Sequence, residues 1–191
     1  MKGVTIFLAD GFEDMEALGT RDVLVRGGLN VRLASISESL NVCSSHGVKV
    51  QADCCLKDIL QEDNEPVTDD DIMIFPGGMP GTKNLAACTT LINLMNNHYA
   101  KGGRLAAICA APGYVLGQLN GIEKATFTCF EGCQDLPVSK GAKYQPDEVA
   151  VYGKIITGRS AGYSIKFGLT ILAALKGEEV VKKVEYGLML K

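Results

Sequence analysis

Residues 105–113 read Leu105-Ala106-Ala107-Ile108-Cys109-Ala110-Ala111-Pro112-Gly113. An apolar run enters a cysteine, two small residues follow, and proline stands where a first helical turn would begin. This predicts a buried strand over 105–108, a tight turn at Cys109 and a helix over 112–119. Such a strand-to-helix turn is a nucleophile elbow, which lifts its central side chain to the carboxyl edge of a sheet. Open α/β sheets bind ligands along that edge.

The flanking sequence repeats the alternation. Apolar, strand-like runs occur at 3–9, 29–36, 48–52, 72–75, 124–129, 149–152 and 155–157. Between them, helical spacing marks 15–26, 53–61, 85–99, 163–175 and 178–184. The acidic run 62–71 is expected to be a solvated loop. Alternation of this kind predicts an α/β fold, a mostly parallel sheet covered by helices on both faces. No linker, repeat or low-complexity segment divides the chain, so residues 1–191 are expected to form one domain.

Three segments converge on chemistry. A helix beginning beside Cys109 would stabilise a thiolate and lower its pKa. Phe75-Pro76-Gly77-Gly78 follows a second core strand. Its glycines permit backbone N–H groups to face the same edge, so that Gly78 and Ala110 could form an oxyanion hole. After the first strand, Asp10-Gly11-Phe12-Glu13-Asp14-Met15-Glu16 crowds carboxylates that raise one another's pKa. A partly buried Glu16 would keep a proton to donate to Cys109. Taken singly, each segment also has a plain structural reading: a core cysteine, a flexible turn, a favourably charged helix start.

Composition narrows the classes. The chain has 191 residues, 47% hydrophobic and 21% charged, with a net charge of −3 and no tryptophan. No basic patch supports nucleic-acid binding. No leader pattern and no run of ~20 apolar residues is present, so a soluble, cytoplasmic protein is expected, without membrane association. The seven cysteines are odd in number and lack a CxxC, and only His46 and His98 accompany them. A disulfide framework and a zinc site are therefore not expected, nor is any cofactor. His98 is expected at the surface.

ADGFEDMEA at 9–17, DVLVRGG at 22–28, FPGG at 75–78, AAICAAP at 106–112 and TGRSAGYSIKFGL at 157–169 together resemble the ThiJ/PfpI superfamily. The similarity is to the branch of the parkinsonism-associated deglycase and chaperone, and it covers essentially the whole chain. It implies a flavodoxin-like three-layer α/β sandwich, as in class I glutamine amidotransferases, and a homodimer. It implies that Cys109 is an oxidisable nucleophile and Glu16 its acid partner. Gly78 and Ala110 would be backbone donors, with Gly77 beside them. Arg26 and Glu13 would form an anion pocket at the dimer edge. Two departures stand out. Cys129 occupies the place where glyoxal-active members carry a histidine. The run Cys43-Ser44-Ser45-His46-Gly47 has one extra residue and lacks an arginine, and His46 could reach the partner's Cys109 from there. The functions this resemblance implies are a redox-responsive stress protein, a hydrolase or lyase of small aldehydes or glycated groups, or a chaperone without turnover.

Overall fold

The computed structural model describes residues 1–61 and 66–190. Its strands are β1 (Val4–Leu8), β2 (Val31–Ser35), β3 (Asn41–Cys43), β4 (Lys49–Gln51), β5 (Cys54–Cys55), β6 (Ile72–Phe75), β7 (Arg104–Ile108), β8 (Thr126–Phe127), β9 (Lys143–Tyr144), β10 (Val149–Tyr152) and β11 (Ile155–Gly158). Its α-helices are α1 (Thr20–Arg26), α2 (Leu56–Leu60), α3 (Gly81–Ala87), α4 (Thr89–Ala100), α5 (Ala111–Tyr114), α6 (Asp135–Ser139), α7 (Ser164–Lys176) and α8 (Glu178–Gly187).

Seven strands form one sheet in the order β10-β11-β7-β6-β1-β2-β5. Every pairing in it is parallel except β10 with β11. Side chains of a strand leave alternate faces, and here they feed two cores. Phe7, Met73, Phe75, Leu105 and Ala107 enter one, under α2 and α4. Ile6, Leu8, Ile72, Ile74, Ala106 and Ile108 enter the other, under α1, α7 and α8. Phe7 and Phe75 stack at 5.7 Å between ring centroids. The central order β2-β1-β6-β7-β11 is that of the flavodoxin-like sandwich, whose strand order reverses at β1/β6. The expected fold class is therefore the observed one.

Several expected elements differ. The helix over 15–26 begins as a π-type turn, Met15–Gly19, before α1. The helix over 85–99 is two helices, α3 and α4, parted at Cys88. The strand over 124–129 shrinks to β8, which pairs with β9 outside the main sheet. The helix over 112–119 is four α residues and a short 3-10 turn. Residues 62–65 of the acidic run lie outside the described residues. Its last member, Asp71, is buried, accepting the N–H of Gly3 (2.5 Å) and of Thr68 (2.7 Å) and pairing with Lys2 at 2.9 Å.

His98 corrects the surface expectation. It is fully buried, with Nε2 at 3.2 Å from the carbonyls of both Asp71 and Arg104. Burial drives its pKa down to about 4, so it packs as a neutral ring. Helical periodicity places His98 on the inner face of α4, a stronger determinant than its polar neighbours.

Candidate functional site

The turns that leave β1, β6 and β7 meet at the carboxyl edge of the sheet, beside the reversal of strand order. Cys109 closes β7 with φ of +64°, a left-handed conformation that costs a non-glycine residue about 1–3 kcal/mol. Bonds on both sides hold it there. Its N–H donates to Gly158 O at 2.9 Å, and its carbonyl accepts the Phe130 N–H at 2.7 Å.

Glu16 sits in the π-type turn and is 1% exposed. Its Oε2 accepts the Gly77 N–H at 2.7 Å, and its own N–H donates to Glu13 Oε2 at 2.7 Å. Burial lifts the Glu16 carboxyl to about 7 against the lowering pull of Cys109 and the Gly77 N–H, with Glu13 adding to the rise. Gly77 marks where the two groups converge. A methyl on it would lie 2.6 Å from Glu16 Oε2, 2.6 Å from Cys109 Cβ and 3.1 Å from the sulfur. Gly77→Ala is therefore expected to slow alkylation of Cys109 by about tenfold or more, ~1.4 kcal/mol of barrier, in a stopped iodoacetamide assay. An unchanged rate would show that the two side chains do not meet there.

The thiol does not have the lowered pKa expected from a helix start. Burial pushes Cys109 up, the Glu16 charge and hydrogen bond add to this, and the N–H groups of Ala110 and Gly78 only partly offset it. Burial is the main cause, and α5, with four residues, offers only a weak macrodipole against it. Although Glu16 governs this thiol, Glu16 Oε1 is buried without a partner of full hydrogen-bond geometry. The two groups are coupled: Glu16 gives up its proton at about 7, while the thiol, pushed up further, keeps its own.

Cys129, in the position expected to matter for proton transfer, is fully buried and pushed up to about 12 by burial, with Cys133 and Asp135 adding to it. It faces the core as a neutral thiol. Arg26 does not reach Glu13 within the chain; its Nε pairs with Asp22 at 2.6 Å, one helical turn away. His46 is exposed, and its Nδ1 lies 2.6 Å from Asp14 Oδ2. Sequence reasoning placed Gly77 beside the site but missed its hold on Glu16, and it missed the Asp14–His46 pair. Neither contact has a local sequence signal, because the partners lie 61 and 32 residues apart.

Residues 2–174 match the DJ-1/PfpI family. The chain is 35% identical over 167 residues to the Glutathione-independent glyoxalase DJR-1.2 of Caenorhabditis elegans, covering 87% of this chain and 84% of the relative. It is 33% identical over 192 residues to Protein DJ-1 homolog A of Arabidopsis thaliana. That match takes in all of this chain, which spans about half (47%) of the plant protein. Oxidized DJ-1 of Toxoplasma gondii superposes with a TM-score of 0.86 at 29% identity, over 99% of this chain and 98% of that one.

Proposed function

The chain belongs to the DJ-1/PfpI family, and from that premise we propose that it is a redox-responsive stress protein whose working group is the Cys109–Glu16 pair. The carrying observation is the buried Glu16 carboxyl, lifted to about 7 and converging with the Cys109 sulfur at Gly77. In the charged pair the remaining proton rests mainly on the sulfur, and the minor form, with the proton on Glu16, carries the reactive thiolate. When Glu16 holds it, the thiolate sulfur attacks one peroxide oxygen and the O–O bond breaks. The departing hydroxide takes the Glu16 proton and leaves as water. A second peroxide carries the sulfenic acid to a sulfinate. Its oxygens would accept hydrogen bonds from a reprotonated Glu16 and from the N–H groups of Gly78 and Ala110. Charge-assisted bonds of this kind contribute about 1.5–3 kcal/mol each.

A second reading uses the same elbow on a small aldehyde or a glycated group, with Cys109 bonding to the carbonyl carbon and the two N–H groups holding the oxyanion. The C. elegans relative's name favours it. The neutral, buried Cys129 opposes it, because no base titrating near neutrality stands at that position. Methylglyoxal turnover separates the two. Peroxide-sensitive Cys109 with no Cys109-dependent turnover supports the redox reading, and turnover lost in Cys109→Ser supports the second.

The working form we propose is a cytoplasmic homodimer of single-domain chains, with Arg26, Glu13 and His46 at the shared edge. Seven free thiols suit a reducing compartment, and among the described residues no helix is long and apolar enough to cross a membrane. Exposed Met15 lies beside an apolar groove between the π-type turn and Ala161–Ile165, a surface suited to a second copy. A monomeric mass by sedimentation at micromolar concentration would refute the dimer.

A further inference from the structure

The turn after β1 and the turn between β3 and β4 are tied together on the outer side of the site. Ser45 N–H donates to Phe12 O at 2.8 Å, and Phe12 forms a parallel bridge with Ser44. Ser44 Oγ in turn accepts the N–H groups of His46 (3.2 Å) and Val48 (3.0 Å). Two backbones thus present three side chains to one point. One donor atom each from Glu13, Asp14 and His46 lies within 4.8 Å of the other two.

The group is short of positive charge. Two carboxylates meet one imidazole, and among the described residues no lysine or arginine pairs with either acid. Asp14 Oδ1 is shielded from solvent on the side of the Ser44 hydroxyl. The other oxygen, Oδ2, shares a proton with His46 Nδ1 at 2.6 Å.

We propose that Glu13, Asp14 and His46 form a binding site for a divalent first-row transition-metal ion. Imidazole nitrogen with carboxylate oxygen is a donor set for borderline ions such as Zn²⁺, Co²⁺ or Ni²⁺, and it contains no thiolate to select soft ions. The incoming ion takes the place of the proton between His46 and Asp14, and that proton is released to solvent. Metal–ligand bonds of about 2.0–2.2 Å put tetrahedral ligands about 3.3–3.6 Å apart, so the three donors must close in. The His46 side chain, 69% exposed, is free to swing. Solvent fills the remaining coordination positions from the exposed side. The site uses one chain's residues only, and Glu13, which accepts the Glu16 N–H, joins it to the Cys109–Glu16 pair.

Co²⁺ is the probe, because its visible spectrum reports its ligands and it broadens nearby proton resonances. Titration of the reduced protein is expected to saturate at one Co²⁺ per chain, without thiolate charge-transfer bands. Binding is expected to weaken at least tenfold in His46→Ala and in Asp14→Asn, and to persist in Cys109→Ser. Thiolate bands, or unchanged affinity in folded His46→Ala, would overturn the proposal. The unaltered protein gives a second test that no folding defect can obscure. Of its two histidines, His46 should lose its imidazole signals on adding Co²⁺ while buried His98 keeps them; loss at His98, or at neither, rejects the site.

Discussion

Peroxide doses that add one or two oxygen atoms to the protein are expected to leave the Cys109→Ser variant at its unmodified mass. Cys55 and Cys129 are buried, and burial followed by the Asp135 charge pushes the Cys133 thiol up. Cys109 combines a buried proton partner with two backbone N–H groups and an elbow that fixes the sulfur at the sheet edge. Its rate of oxidation should rise with pH through about 7, as the pair sheds its first proton, and then level off. Peptide mass spectrometry over a pH series measures both features. Oxygen found first on another cysteine would remove Cys109 from the centre of the function.

Glu16→Gln is expected to make the protein more stable above neutral pH while disabling the pH step in Cys109 oxidation. The folded state raises the Glu16 carboxyl from 4.5 to about 7. Between those values the folded chain keeps a proton that the unfolded chain has lost, so stability falls as pH rises. The loss is complete above about 7 and absent below about 4.5. A displacement of that size corresponds to on the order of 3 kcal/mol. Glutamine resembles the protonated acid: its carbonyl can still accept the Gly77 N–H, and it never acquires the buried charge. Melting curves should therefore separate variant from parent at pH 8 and nearly coincide at pH 4. Equal stability at pH 8 would mean that Glu16 is not held against ionisation.

The layered fold was legible because the evidence for it is local. The runs at 72–75 and 105–108 are too short and too uniformly apolar to be surface helices, and each is bounded by glycine or proline. Cys109 and the Gly77-Gly78 turn could be found the same way, each at a strand end. What could not be read depends on partners distant in sequence. The left-handed backbone of Cys109 is fixed by Gly158 and Phe130. The upward pKa of the thiol follows from burial and from Glu16, which is 93 residues away in sequence. His98 was misjudged because three polar neighbours outweighed the periodicity of the helix around it. Within the chain Arg26 pairs with Asp22, four residues earlier on the same helix.

The order of Glu16 and Cys109 along the chain sets a schedule for synthesis. Glu16 follows the first strand, whereas Cys109 ends β7, 93 residues later (109 − 16). At about 5–20 residues per second, a ribosome needs roughly 5–19 s to pass from one to the other. Until β6 and β7 emerge and join β1, nothing buries the Glu16 carboxyl, and it titrates as an ordinary surface acid. The thiol arrives last, at the close of the strand that completes the centre of the sheet. A nascent chain thus carries the acid for seconds before the sulfur, and the Cys109–Glu16 pair comes into being only when the sheet does.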